Sequence, residues 1–202
     1  ASHQTEREPA GKTGPGRRSH LSPLFQDEHG YSLYEALVSL AIVALLTTTA
    51  FSLRPLLLDG RLRAQVNVLI TDLSYARGEA VKRGRRVALC RSDTGSSCSG
   101  QARWQDGWIV FVDDNANNQL DAGELLLKTQ GALAPGISLR YGETGAISLL
   151  AYSPTGNMTR DGPFTFCDER GPAKARGIII SWTGRARVSA TASDNRLLRC
   201  ST

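Results

Sequence analysis

The stretch GYSLYEALVSLAIVALLTTTAFSL, residues 30–53, decides how the rest of this 202-residue chain is read. Its last 18 residues, Ala36 to Leu53, carry no charge. As an α-helix they rise about 27 Å, close to the roughly 30 Å hydrocarbon core of a bilayer. The run is apolar all round, not on one stripe, so the sequence favours a membrane over a buried core helix. Directly before it, Ser32 and Glu35 have the spacing of a capping box, and an acid suits the start of a helix. A carboxylate at the edge of an apolar medium also calls for a partner charge.

Upstream, residues 1–30 hold Pro9, Pro15 and Pro23 and few large apolar side chains. That is the composition of a segment that is disordered or removed, and it is read here as a leader. Its bases (Arg7, Lys12, Arg17, Arg18) and acids (Glu6, Glu8, Asp27, Glu28) cancel, so residues 31–202 keep the whole formal charge of +5. All three histidines, His3, His20 and His29, lie in this segment. Once it is removed, a His general base, a Ser-His-Asp triad and His-ligated zinc are excluded. The expectation is a non-enzymatic protein without a cofactor.

Downstream, Leu62, Val66, Leu69, Ile70, Leu73, Ala76, Ala80 and Val81 recur at three- and four-residue spacings. Arg63, Asp72, Arg77, Glu79 and Lys82 form the polar remainder. This predicts an amphipathic helix over 55–84, kinked at Pro55 and capped by Gly84. The apolar helix, 31–54, precedes it. Past Gly84 the pattern becomes short strands punctuated by Gly, Pro, Asn and Asp, filling a head domain over 85–202. The candidates are Val87–Cys90, Trp108–Val112, Leu125–Lys128, Ser138–Tyr141, Leu149–Tyr152, Phe164–Cys167, Gly177–Trp182 and Arg187–Ala190. The fold class is α+β, a long helix packed on an antiparallel sheet.

Cys90, Cys98, Cys167 and Cys200 are an even set, the usage of an oxidising compartment. Of three pairings, Cys90–Cys98 and Cys167–Cys200 each close a local loop and are favoured. Loop entropy assigns them about 2.5 and about 3.7 kcal/mol. The cysteines place the head in the periplasm. The arginines flanking the apolar run lean the other way, towards a cytoplasmic C-terminus, and are overridden.

Two constellations carry possible chemistry. In the loop 113–124, Asp113, Asn115, Asn117, Asp121 and Glu124 fall at the ligand-type positions of a calcium loop. Asn118 stands where such a loop wants Gly, so an Asx-rich hairpin that satisfies its own backbone is the simpler account. In the C-terminal region, Arg170, Lys174, Arg176, Arg185, Arg187, Arg196 and Arg199 face one acid, Asp194. Arg185 and Arg187 are two apart and share a strand face, Gly184 allows a turn that exposes them, and Trp182 can stack on a base. Two or three phosphate contacts give weak, salt-sensitive binding to double-stranded DNA. The alternative is a solvated basic face or a contact surface for acidic neighbours.

Gly30-Tyr31-Ser32-Leu33-Tyr34-Glu35, set against the apolar run, resembles the type IV prepilin signature. The resemblance implies that a prepilin peptidase cuts after Gly30 and methylates the amine of Tyr31. It also implies that Glu35 pairs with the N-terminal amine of a neighbouring subunit and so sets register. In the head, 76–84, 108–113, 121–124 and 183–187, in that order, resemble the GspH/FimT group. The implied architecture is the pilin fold, in which the helix is half membrane segment and half amphipathic. The implied role is a minor pilin of a type IV pilus or, alternatively, an H-type pseudopilin of the type II secretion system. Its partners would be other pilins or pseudopilins and the bacterial inner membrane, crossed once, with the head in the periplasm. In FimT-like proteins a Gly-Arg-x-Arg tail is associated with DNA binding for natural transformation, and Gly184-Arg185-Ala186-Arg187 matches it.

Overall fold

The structure is a computed structural model that describes residues 30–160, 162–192 and 195–200, without the side chains of 48–53. The leader, 1–29, lies outside the described residues, as do six side chains of the apolar run. The described chain divides into two compact units, residues up to 46 and residues from 47 onward. Helix α1 is assigned over Leu33–Arg83. Eight strands follow: β1 (Val87–Arg91), β2 (Trp108–Val112), β3 (Leu126–Gln130), β4 (Ser138–Tyr141), β5 (Leu149–Tyr152), β6 (Gly162–Cys167), β7 (Arg176–Ile180) and β8 (Ala186–Ser189).

In the first unit, the Glu35 amide donates to Ser32 Oγ at 3.2 Å, one half of the expected capping box. Every side chain from Tyr31 to Leu46 is exposed, including Leu37, Leu40, Ile42, Val43, Leu45 and Leu46. Among the described residues no helix is long and apolar enough to cross a membrane.

In the second unit, α1 buries Leu62, Val66, Leu69, Leu73, Ala76 and Ala80, a stripe spaced four and three residues apart. Three expectations need correction. Val81 is exposed and does not belong to the stripe, while Glu79 and Asp72, both placed with the polar face, are buried, Asp72 fully. Trp108 Nε1 donates to Asp72 at 2.9 Å and Lys128 forms an ion pair with it, so the carboxylate is inside because two donors meet it there. The helix runs through Pro55 and ends in a Schellman motif. Gly84 has φ +63°, its N–H bonds Val81 O, and the Arg85 N–H bonds Ala80 O.

The strands form two antiparallel four-stranded sheets, not one, in the orders β3-β2-β1-β5 and β4-β6-β7-β8. All eight expected strands are present with ends displaced by up to two residues. The inward faces of both sheets close over the helical stripe. Leu89, Trp108, Val110 and Tyr152 come from the first sheet, and Tyr141, Phe164, Phe166 and Ile178 from the second. Trp104, on a short 3-10 turn the sequence pattern does not signal, lies edge-on to Phe164 at 5.0 Å, and Phe164 stacks on Tyr141 at 4.2 Å. Behind the first sheet, Ala88, Cys90, Ile109, Phe111 and Ala151 make a second cluster. The disulfides are Cys90–Cys98 and Cys167–Cys200, as the loop argument expects, with Cα separations of 5.5 and 5.9 Å.

A candidate nucleic-acid interface at the β7–β8 hairpin

β7 and β8 pair as a hairpin, with Ile180 opposite Ala186 and Ile179 opposite Arg187. Residues 181–185 join them. The Ser181 amide donates to Arg185 O at 3.1 Å, and the Gly184 amide to Ser181 O at 2.8 Å. Ala186 packs against the core, which turns its neighbour Arg187 to the outer face of the sheet. Arg185, Arg187 and Trp182 are exposed, the last to 64%. Arg185 precedes β8 and closes the turn, so the two arginines flank the strand entrance and are not both strand residues.

The turn is fixed from beneath. Gly184 is buried with φ +77°, and a Cβ there would lie 2.1 Å from Gly156 O. That oxygen also accepts a hydrogen bond from Arg77 Nε of α1 at 3.1 Å. The Met158 amide donates to Trp182 O at 3.0 Å. Gly184 therefore does two things: it adopts a left-handed conformation and lets two turns touch backbone to backbone. Tyr152 lies below it, and burial pushes its phenol above the ordinary value. Arg77 is the positioning residue that sequence reasoning missed. It sits in the 76–84 stretch already singled out, at a helical position whose contact 79 residues away has no local signal.

The other basic residues of the region do not act together. Arg170 donates to both oxygens of Asp168 (Nη2 at 2.7 Å) and to Asp59 at 2.6 Å, so it fastens the β6–β7 loop to α1 instead of facing solvent. Its hydrogen bond holds the Asp59 carboxyl below its usual range. At Asp168 burial raises the carboxyl, but the Arg170 hydrogen bonds and charge carry it below its usual range. Arg196 comes within 4.0 Å of Glu143. Arg176 is half-buried beside Arg63 and Val66 of the helix, while Lys174 and Arg199 are exposed. Asp194 lies outside the described residues.

In the 113–124 loop most of the ligand-type oxygens are engaged, although Asp113 Oδ1 is buried with no hydrogen-bond partner among the described residues. Arg86 forms an ion pair with buried Asp113 and donates to Asn118 Oδ1 at 2.6 Å. Asp121 accepts from the side-chain amides of Asn115 (2.8 Å) and Asn117 (2.6 Å), and Glu124 accepts the backbone N–H groups of Asp114 and Asp121. Ala116 and Asn118 take positive φ, as in an Asx-rich turn. Among the described residues no group of three or more His, Cys, Asp or Glu is arranged to hold a metal.

Residues 65–184 match the family model described as type II transport protein GspH. The chain belongs to the GspH family. A pilin-like protein of Thermus thermophilus, PilA1, is 30% identical over 164 residues, which cover 79% of this chain and 97% of that protein. Among solved structures, the Pseudomonas aeruginosa type IV minor pilin FimU superposes with a TM-score of 0.52 at 20% identity. The match covers 67% of this chain and 95% of FimU. A second crystal form of FimU gives 0.50 at 18% identity. The family match and the pilin-like relative place this chain among GspH-family, pilin-like proteins, and the likeness to FimU shows that it shares that fold.

Proposed function

We propose that this chain is a minor pilin of a type IV pilus that captures double-stranded DNA at the tip of the β7–β8 hairpin. The observation that carries the proposal is the hairpin itself. Arg185, Arg187 and Trp182 are all exposed on a turn held rigid by the contacts among Gly184, Gly156 and Arg77. A fixed turn leaves only side-chain rotamers to be ordered on binding, and backbone phosphates need no base-specific geometry. Prepilin peptidase removes the leader after Gly30 and methylates Tyr31. Residues 31–54 anchor the subunit in the inner membrane and then pass into the filament core, with the head in the periplasm. Support for the anchor comes from the apolar side chains of 33–46, all of which are exposed and need an apolar partner. Glu35 meets the N-terminal amine of a neighbouring pilin during assembly.

The test is DNA binding by the full chain in detergent micelles across a salt series, against the Arg185→Ala/Arg187→Ala variant. Binding that weakens with salt and is lost in the variant supports the proposal. Equal binding by both proteins overturns the assigned site. A second reading is an H-type pseudopilin of the type II secretion system, favoured by the family match over 65–184. It predicts no binding at low salt, with the basic tip contacting a neighbouring subunit.

A further inference from the structure

Among the described residues, three of the four sheet edges are protected and one is open. At β5 the Thr159 amide donates to Ala151 O at 3.0 Å and the Ala151 amide to Thr159 Oγ1 at 3.2 Å, so the outer groups of that strand are taken. At β4 the outward Leu139 amide donates to Gln105 Oε1 at 3.3 Å. β3 has a register break opposite Val110 and Phe111, and a bulge of this kind bends an edge away from an incoming strand. β8 has none of these devices. It is the outer strand of the second sheet and pairs with β7 in unbroken register.

The register shows which groups of β8 are free. The Ser181 amide donates to Arg185 O, so these two residues form a hydrogen-bonded pair. Bonded and non-bonded pairs alternate along an antiparallel ladder. Ile179–Arg187 and Gly177–Ser189 are therefore bonded pairs, while Ala186 and Val188 turn their N–H and C=O groups away from β7. No described residue bonds them there. Beside this edge lies a groove of about 330 Å³ between α1 and the sheet. Clefts of roughly 300–1,000 Å³ take molecules and not lone ions. Val66 and Val188 line it together with Arg63, Asn67 and Arg176, and no carboxylate does. Val188 is 47% exposed although it faces the helical side of the sheet, opposite fully buried Ile178. Neither guanidinium of the groove makes a hydrogen bond with a described residue. Asp59, whose charge acts on Arg63, is held by Arg170 at 2.6 Å.

We infer that the free edge of β8 is a docking site for an extended acidic segment of another protein subunit, added to the second sheet as a fifth strand. Main-chain bonds to Ala186 and Val188 supply the grip, and alternate side chains of the incoming strand supply the selectivity. On the helical side its apolar side chains cover Val66 and Val188, and its carboxylates meet Arg63 and Arg176. Charge argues against a second copy of this chain, because pairing through the same edge brings together two strands that each carry Arg187 beside the groove arginines. The valine floor and the open backbone argue against nucleic acid, since phosphates offer no donor to the free C=O groups and leave the valines uncovered. The inference does not rest on DNA capture at the hairpin tip.

The test is backbone amide hydrogen exchange, followed by 1H–15N NMR on the full chain in detergent micelles. The probe is a short peptide alternating glutamate with valine and blocked at both ends; the control peptide has lysine in place of glutamate. The expected result is saturable binding of the glutamate peptide that slows exchange at Ala186 and Val188 at least tenfold, with no effect of the lysine peptide. Val188→Pro removes an outward donor where an edge strand tolerates proline, and should abolish the protection. Arg63→Glu, at an exposed helical position, should weaken the glutamate peptide at least tenfold. Val188→Pro should keep whatever DNA binding the unaltered protein has, whereas Arg185→Ala/Arg187→Ala loses it, which separates the edge from the tip. A protein that binds the peptide and no DNA supports the edge and removes only the reading of the tip. No protection of Ala186 and Val188, equal binding of the two peptides, or protection of the same amides by a short DNA duplex overturns the docking site. Should Val188→Pro fail to fold, as judged by near-ultraviolet circular dichroism, Arg63→Glu and the exchange of the unaltered protein decide the question.

Discussion

Two polar turns of the head carry opposite charge and behave in opposite ways. Residues 113–124 carry four acids and three asparagines, and the structure turns their oxygens towards one another, towards backbone amides and towards Arg86. Residues 181–187 carry two arginines and a tryptophan and present all three to solvent. The difference lies in the donor balance. Carboxylates and amides in one loop can satisfy each other, whereas arginines have donors only and no acceptor of their own. Side chains that hold both halves of the hydrogen-bond inventory close on one another, as the Ser181 and Thr183 hydroxyls also do, and the arginines, donors only, remain available to a partner.

The largest effect expected from breaking this contrast is at Gly184. A valine there meets Gly156 O and a left-handed backbone together. The cost expected in denaturant unfolding is roughly 4 kcal/mol, with loss of any function of the tip. Next is Asp113→Ala, which leaves the half-buried Arg86 without its counter-charge. Unfolding should show a loss of about 3 kcal/mol with DNA binding unchanged. The Arg185→Ala/Arg187→Ala variant should do the reverse. Its stability should stay within about 0.5 kcal/mol, while the slope of log affinity against log salt falls by about 2. Asp121→Ala removes two exposed amide hydrogen bonds and should cost about 1 kcal/mol.

The smallest effect concerns acid. Asp59 and Asp168 have folded-state pKa values below their ordinary ones. The stability they contribute is therefore present above the unfolded value of about 3.9 and is lost as pH falls through the lower folded values. Arg170→Met should lower stability at neutral pH and flatten the pH profile of unfolding below about pH 4, so that variant and unaltered protein converge in acid. An unaltered acid limb would show that the Arg170 contacts do not contribute to it.

What the sequence made legible is what is encoded locally. The eight strands stand out because Gly, Asn and Pro separate them, and the end of α1 is marked by Gly84. Both disulfides follow from loop length. The exposure of Arg185, Arg187 and Trp182 follows from a glycine turn beside a strand. The rest depends on partners far along the chain. Asp72 reads as a surface residue until Lys128, 56 positions on, comes to meet it. Arg170 reads as part of a basic patch until Asp59, 111 positions earlier, takes it up.

The Cys167–Cys200 bridge has a mechanical consequence. The hairpin tip lies between these two cysteines, so the bond closes a covalent ring through β7, the tip, β8 and the C-terminal segment. A load applied at Trp182 and resisted at α1 divides between two covalent paths, one through β7 and the other back through β8 and across the bridge. Neither path has to carry the whole tension, and fraying of one strand still leaves the tip attached through the other. With the bond reduced, the β7 path alone bears the load.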